Sequence, residues 1–540
     1  MLPRLESYEA VRKAFVWQVP ERYNIGLDIA DKWGRAEPDR PAILTWSQTE
    51  GAGEVLTFGQ FAERSSRLAS HLAARGVVPG ARVAVILPQV PETAIVHAAL
   101  FKLGAISVPL SERFGTDALE HRLRDCGARL IIGSPAALSK VIAVSGTLAD
   151  LDRLICLDGA TEGAEALLPL LSGGDGGFKA HPTGPDDPAL MIYTSGTTGP
   201  AKGALHGHRV VLGHLPGMEM PHDLFPEPGD LLWTPADWAW AGGMLNILMP
   251  GLHFGVPVVS ARLDRFEPET ALRLMSEMKV RNAFIPPTAL RMMREVESPR
   301  ARFDLALRTI GSGGEALGRE AYEWGRRELG VTVNEFYGQT ECNLVLASSH
   351  RLGVSRAGMT GKPVPGHDVA VIRADGSLCD PHETGQIAVR RPDPVMFLGY
   401  WNNEAATKAK FIGDWMMTGD EGFMDEEGYF GFVGRDDDVI TSSGHRIGPG
   451  EVEDCLLSHP AVALAAAVGK PDPLRTEIVK AFVVLKPGHR AGPEIETALK
   501  DHVRARLAAH EYPREFAFVD SLPLTTTGKV IRRLLRDEDR

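Results

Sequence analysis

The chain has 540 residues, 44% of them apolar and 24% charged, with a formal net charge of −12. That length exceeds what a single hydrophobic core serves, so at least two domains are expected. The acidic balance argues against nonspecific nucleic-acid binding over the whole surface, while leaving room for a local basic site for an anionic ligand. The five cysteines, Cys126, Cys156, Cys342, Cys379 and Cys455, show no CxxC spacing and are an odd number. A disulfide framework or zinc site is not expected, and a reducing compartment fits better. Cys342 has no base suggested beside it and reads as a packed thiol. The first residues carry charges through any would-be apolar region, and no stretch approaches the ~18 apolar residues of a membrane span. A soluble, cytoplasmic protein is expected.

In chain order, Asn24–Trp33 has a helical pattern, Ala42–Trp46 and Glu54–Thr57 read as short strands, and Phe58–Arg75 as an amphipathic helix. Strand and helix then alternate through Arg82–Leu87, Pro91–Leu103, Ile106–Pro109, Leu119–Cys126 and Leu130–Ile132. This is the mark of a parallel sheet covered by helices. After a Gly-, Asp- and Pro-rich connection over 161–188, the alternation returns from about 205 to 345. From about 360 the texture becomes short strands with Asp-Gly and Glu-Gly turns, a small β-rich subdomain. The last hundred residues read as a compact α+β module large enough for its own core. The expected class is therefore α/β: a large, multi-lobed N-terminal domain with helix-covered parallel sheets and a β-rich subdomain, then a small α+β domain.

Tyr193–Gly203, YTSGTTGPAKG, follows the apolar run Ala189–Ile192, which reads as a buried strand. It gathers glycines that let backbone N–H groups approach an anion, hydroxyls that donate further hydrogen bonds, and Lys202 as a point charge. That composition suits phosphate, although the common GxxxxGK[ST] pattern is not met. A flexible Gly/Ser/Thr linker would not be expected to follow a buried strand directly.

This string resembles the phosphate loop of the adenylate-forming enzymes. Four further strings of that family follow in order: Tyr337–Glu341 (YGQTE), Thr418–Asp420 (TGD), Gly434–Arg446 (GRDDDVITSSGHR) and Pro523–Lys529 (PLTTTGK). The resemblance covers nearly the whole chain and is greatest to acyl-CoA synthetases of the short- and medium-chain type. It implies a domain boundary that divides the chain into 1–436 and a mobile 437–540, with a hinge at Asp437. It also implies the reaction, in which a carboxylate attacks the α-phosphate of ATP, pyrophosphate leaves, and the thiol of CoA then attacks the acyl-adenylate. Such chemistry is mostly positioning and charge neutralisation. No GxSxG elbow or HExxH helix suggests another.

The resemblance assigns residues as follows. ATP would be held by Thr194, Ser195, Gly196, Thr197, Thr198, Gly199 and Lys202 at the phosphates, and by Gly314, Glu315 and Ala316 along the adenine. The run Glu335, Phe336, Tyr337, Gly338, Gln339 and Thr340 would join them, with Tyr337 as the second adenine face. Asp420 would take the two ribose hydroxyls with Arg435 beside it. Thr340 would contact the α-phosphate, Glu341 would hold Mg²⁺ against the phosphates, and Lys529 would bridge carboxylate and α-phosphate. CoA would meet Ser443, Gly444, His445 and Arg446 along its thin arm, and Arg475, Arg504 and Tyr512 at its nucleotide. The acyl pocket would lie among Trp238, Trp240, Ala241, Gly242, Gly313 and Gly338. Acetyl- and propionyl-specific members carry a closing tryptophan where Gly338 stands. The small residues therefore suggest an acid larger than propionate: medium-chain, branched, substituted or arylalkyl. No lysine or arginine there favours a dicarboxylate.

The partners implied are ATP, CoA and a small carboxylic acid, with Mg²⁺ accompanying ATP. Neither nucleic acid nor a membrane span is implied, and a homodimer is compatible. Two other readings stay open: an adenylation enzyme loading a separate carrier protein, and an inactive nucleotide- or acyl-binding regulator. The chain stops shortly after Lys529 with no appended carrier domain, and a regulator would be expected to have lost Lys529 or Glu341.

Overall fold

The computed structural model describes all residues except 160, 174–175, 195–199, 436–437, 443–444, 473–474, 508–510, 525–528 and 538–540, and at 445–446 and 537 the backbone alone. Among the described residues the chain builds four sheets. The first has nine strands. Its centre runs Val333–Gln339, Thr309–Gly313, Asn282–Phe284, Leu232–Trp233, Val258–Ala261 and Pro41–Ser47, all parallel. Antiparallel strands close both edges: Cys342–Ala347 and then Lys362–Pro363 beyond Val333–Gln339, and Gly51–Thr57 beyond Pro41–Ser47.

The second sheet has eight strands, with Ile106–Pro109, Arg82–Ile86, Leu130–Gly133 and Arg153–Cys156 parallel at its centre. The helices expected between these strands form as read. Thr57 and Gln60 make a reciprocal capping box that starts Phe58–Ala74. Pro at the first turn and left-handed Gly104 bound Pro91–Leu103, which is apolar all round because it is buried all round.

The buried strand expected before the phosphate-loop string forms as Pro188–Tyr193, and the chain returns after the loop as Gly203–Gly207, paired antiparallel with it. The returning strand is paired in turn by the two residues Gly399–Tyr400, which crosslink this sheet to the segment beyond residue 390.

The third sheet, of five strands, is the expected β-rich subdomain. Its central strand, Trp415–Met424, runs straight through the TGD string and is longer than the short strands expected in this region. The fourth sheet, also of five strands, begins at Ile440 and includes the long antiparallel pair Val462–Asp472 and Thr476–Leu485. The helices Pro449–Leu457 and Pro493–Arg504 cover it. The expected boundary and hinge at Asp437 lie outside the described residues.

Among the described residues His367 is buried beside Asp393, and five further histidines, His97, His206, His208, His214 and His222, are buried in the large N-terminal part. Burial disfavours the charged form of these five and pushes each down, to about 3 for His97, His206 and His222 and to about 4 for His208 and His214. No helix among the described residues is long and apolar enough to cross a membrane.

Candidate active site

Carboxyl ends of parallel strands are where α/β sheets gather ligand groups. Three strands of the first sheet end side by side at Phe284, Gly313 and Gln339. Beyond Gly313 the chain turns through Gly314, whose φ of +95° strains any residue with a Cβ. Gly314 and Ala316 are exposed, while Glu315 is drawn aside: its carboxylate accepts from Thr288 Oγ1 at 2.9 Å and from Arg291 at 2.6 Å. The side chains of Glu335 and Phe336 turn inward. Glu335 accepts from the Leu317 N–H at 3.4 Å, and burial pushes its carboxyl up to about 7. Phe336 packs under Gly313, where a Cβ would stand 2.4 Å from its ring. These two residues shape the rim, and only their backbone remains for a ligand.

Tyr337 donates from its hydroxyl to Asp420 Oδ2 at 2.6 Å, which fixes its ring against Phe432. Arg435 faces the other oxygen, Oδ1, at 3.7 Å across the hairpin pair Asp420–Arg435. Burial raises the Asp420 carboxyl, and Arg435, Tyr337, Lys410 and Lys529 oppose the shift. A ribose reaching Asp420 would therefore share Oδ2 with Tyr337. Gln339 donates to the Thr418 carbonyl at 2.9 Å. Lys410 completes the join, giving hydrogen bonds to Gln339 Oε1 and to the carbonyls of Met417 and Thr418 at 3.0–3.2 Å. Nothing in the KAKF string around Lys410 signalled that clip.

Thr340 is half-buried and Glu341 is buried. The Glu341 carboxylate accepts from the Tyr400 hydroxyl, and its carbonyl accepts from the Phe397 N–H at 2.8 Å. Lys202 lies over the Tyr400 ring, 5.2 Å from its centroid, and Thr194 donates its N–H to the Lys202 carbonyl at 3.0 Å. Tyr400 thus joins the YGQTE string to the base of the phosphate-loop hairpin. The tip residues Ser195, Gly196, Thr197, Thr198 and Gly199 lie outside the described residues. No cluster of three or more His, Cys, Asp or Glu side chains suited to a metal occurs among the described residues. A lone oxygen ligand such as Glu341 nevertheless fits Mg²⁺, which keeps most of its shell from phosphates and water.

Lys529 comes from the last segment of the chain, yet its Cε lies 4.0 Å from where a Cβ on Gly314 would stand, and its charge acts on Asp420. The segment behind it is fixed by Arg532, which grips both oxygens of Glu453 at 2.7 and 2.8 Å. Asp454, one residue on, accepts from the Arg319 N–H at 3.2 Å. Lys486 faces Glu295 at 3.6 Å.

Arg475, Arg504 and Tyr512 gather on the C-terminal sheet. The Arg504 guanidinium stacks on the Tyr512 ring at 4.1 Å, and its hydrogen bond, with the charges of Arg514, Arg504 and Arg475, lowers the phenol. Arg514, also over that ring at 4.9 Å, belongs to the group and was not read from the sequence. Ser443, Gly444 and Asp437 lie outside the described residues, as do the side chains of His445 and Arg446.

The small residues expected around the acyl group do converge, but their missing side chains do not leave empty space. Phe284 stands 2.8 Å from a Cβ on Gly242, Phe336 closes on Gly313, and Asn343 stands 2.9 Å from a Cβ on Gly338. Added volume at these three positions is therefore a correction to make: the neighbours have moved in, and the walls are Phe284, Phe336 and Asn343. Trp238 and Ala241 pack with the core body that holds both phenylalanines. Trp240 instead packs edge-on against Phe114, 5.5 Å between centroids.

Two family profiles match this chain: the AMP-binding enzyme family over residues 30–401, and the AMP-binding enzyme C-terminal domain over 451–529. The chain belongs to the AMP-binding enzyme family, and within it to the acyl-CoA ligases. It is 34% identical over 522 residues to an uncharacterized acyl–CoA ligase, YtcI, of Bacillus subtilis, covering 96% of this chain and 97% of that one. It is also 34% identical to the rat mitochondrial acyl-coenzyme A synthetase ACSM2, over 97% of this chain and 92% of that one. Among solved structures, the anthranilate CoA ligase AuaEII in complex with anthranoyl-AMP superposes with a TM-score of 0.88 at 27% identity, over 96% of this chain and 98% of that one.

Proposed function

We propose that this ligase joins a carboxylic acid larger than propionate to CoA at the expense of ATP, releasing AMP and pyrophosphate through an acyl-adenylate. The observation that carries this reading is the approach of Lys529 to Gly314, with its charge felt at Asp420, groups more than a hundred residues away from it in the chain. A cation that can leave with its own domain suits a first step that builds negative charge at the α-phosphate and a second that does not need it. Asp420, Tyr337 and Arg435 would hold the nucleoside, with Lys202, Thr194 and Thr340 on the phosphates. Glu341 would hold Mg²⁺, which when bound neutralises phosphate charge. The arginines around Tyr512 suit the polyanionic nucleotide of free CoA.

Acid size is supported at Gly338, where the modest amide of Asn343 stands in place of a closing indole. The test is pyrophosphate release over acids of graded length, from acetate upward and including arylalkyl acids, with CoA present. Release that peaks above propionate and yields the matching thioester is expected. A preference for acetate, or no release with any acid, overturns the reading.

A further inference from the structure

Under Gly338 and Gly242 lies a buried polar chain that no step above uses. His214, on the helix Val210–Glu219, meets Asn246 Oδ1 through Nε2 at 2.7 Å. The same oxygen accepts from Asn343 Nδ2 at 2.9 Å. With His214 neutral and Nε2 carrying the proton, Asn246 Oδ1 receives two donors, and this fixes both amides in one orientation. Asn246 sits in a π-helical turn, Met244–Leu248, separated from Gly242 only by Gly243. Insertions of that kind are common where a helix aims a side chain at a ligand.

The consequence lies at the other ends of the two amides. Asn343 Oδ1 is aimed at Gly338, 2.9 Å from where a Cβ would be, and Asn246 Nδ2 at Gly242, 4.0 Å from its Cβ position. The two side chains are 93% and 97% buried by their relative exposure of 7% and 3%. Neither atom has a hydrogen-bond partner among the described residues. Neither atom is among the unpartnered side-chain atoms fully sealed from the surface among the described residues, so each keeps some accessible surface, and here one acceptor and one donor stand at neighbouring positions. Plain apolar walls, Phe284 and Phe336, flank them.

We propose that Asn343 and Asn246 are specificity-determining residues that read a hydroxyl group on the chain of the acyl substrate, the hydroxyl donating to Asn343 Oδ1 and accepting from Asn246 Nδ2. This rests on the acyl-CoA ligase reading and on Gly338 and Gly242 bordering the acyl group. His214 is a positioning residue that holds the amides in register. The preferred acid is then a hydroxylated one, long enough to carry its hydroxyl past the two phenylalanines.

The experiment uses the full-length protein and matched pairs of acids, each plain acid against its terminal and penultimate hydroxy forms, from four to eight carbons and including hydroxyphenylalkyl acids. kcat and KM are read from CoA-dependent pyrophosphate release. One hydroxy acid is expected to exceed its plain partner in kcat/KM by tenfold or more, since a site built to bond a hydroxyl rejects the analogue lacking it. Asn246→Asp keeps Oδ1 for His214 and Asn343 but removes the donor, and Asn343→Ala removes the acceptor. Each should cut the hydroxy-to-plain ratio at least fivefold, chiefly through KM of the hydroxy acid, while KM for ATP stays near wild type.

A ratio near one for every pair in wild type, or a ratio unchanged in both variants, overturns the proposal. If Asn246→Asp fails to fold, Asn343→Ala alone decides by the same ratio. Active turnover of plain acids without any hydroxyl preference sinks this inference and leaves the ligase reading standing. No CoA-dependent release with any acid sinks the ligase reading itself.

Discussion

At the scale of single residues, charge placement decides most of what this site can do. Lys529 is exposed yet held beside Gly314 and within reach of Asp420. Lys529→Ala should lower adenylation, read as acid-dependent pyrophosphate release, by on the order of 10²–10³. Supplied with ready-made acyl-adenylate and CoA, the same variant should still form thioester near the wild-type rate. Equal damage to both steps in a folded protein would count against a lysine that serves the first alone.

Glu335 makes a different demand. Its carboxyl is raised to about 7 by burial, so the folded protein keeps a proton there that the unfolded chain gives up near 4.5. The stabilisation this proton provides is complete below the unfolded value and is lost as pH rises towards 7, a span worth about 3 kcal/mol. Glu335 therefore opposes the rise of stability with pH that other buried groups impose, and Glu335→Gln should make the melting temperature climb more steeply between pH 5 and pH 7.5 than in wild type. Parallel melting curves across that range would mean that Glu335 ionises normally.

At the scale of elements, the sequence and the structure part company in informative places. The helix-covered parallel strands were legible because buried parallel strands read as short apolar runs and their helices as 3.6-residue stripes. The hairpin that carries the phosphate loop was not, because Gly203–Gly207 (GALHG) has neither the alternation nor the β-branched residues of a strand; it forms by pairing with Pro188–Tyr193. Trp415–Met424 was likewise hidden by Gly419 and Gly422 within it. In the site, the motif residues that come together, such as Tyr337, Asp420, Arg435 and Lys529, stood in contiguous strings and were legible for that reason. Tyr400, Lys410, Phe284, Asn246 and Asn343 were missed because each reaches the site through tertiary contact and belongs to no local pattern. The glycines illustrate the same limit from the other side: their smallness was read correctly, but what fills the space beside them is set by residues far away in the chain.

The C-terminal helix Arg532–Asp537 shows how an element can matter through its anchorage. Arg532 holds Glu453, and Arg536 holds Asp438 at 2.6 Å. Together they fix the segment that presents Lys529. Arg532→Ala removes hydrogen bonds between charged groups worth about 1.5–3 kcal/mol and leaves a buried carboxylate behind. Adenylation should fall roughly tenfold, less than for Lys529→Ala, while Arg532→Lys should recover only part of it, because a single ammonium cannot match the two-oxygen grip. A variant with an unchanged adenylation rate would show that the segment orders itself without this anchor.

At the scale of the whole molecule, the five neutral histidines buried across the N-terminal part set how the protein meets acid. Unfolded, each would take up a proton near pH 6.5; folded, none does until about pH 3–4. Their stabilising effect is complete above pH 6.5 and drains away as pH falls through that window. Glu335 and Glu219, raised to about 7 and about 8 by burial, pull the other way by holding two protons the unfolded chain releases. Near pH 5.5 these seven groups leave the unfolded state ahead by roughly three protons, a slope of about 4 kcal/mol per pH unit. Denaturant midpoints should therefore drop steeply between pH 6 and pH 5, and a flat profile there would contradict the burial of these rings. A fold of ordinary stability, about 5–15 kcal/mol, would be spent within a few pH units. Between pH 7 and pH 5 these groups together remove about 5 kcal/mol, so acidification draws on the whole fold at once rather than on any one site, with its motifs intact and nothing chemically altered, and neutralisation restores what was lost only where the chains have stayed apart.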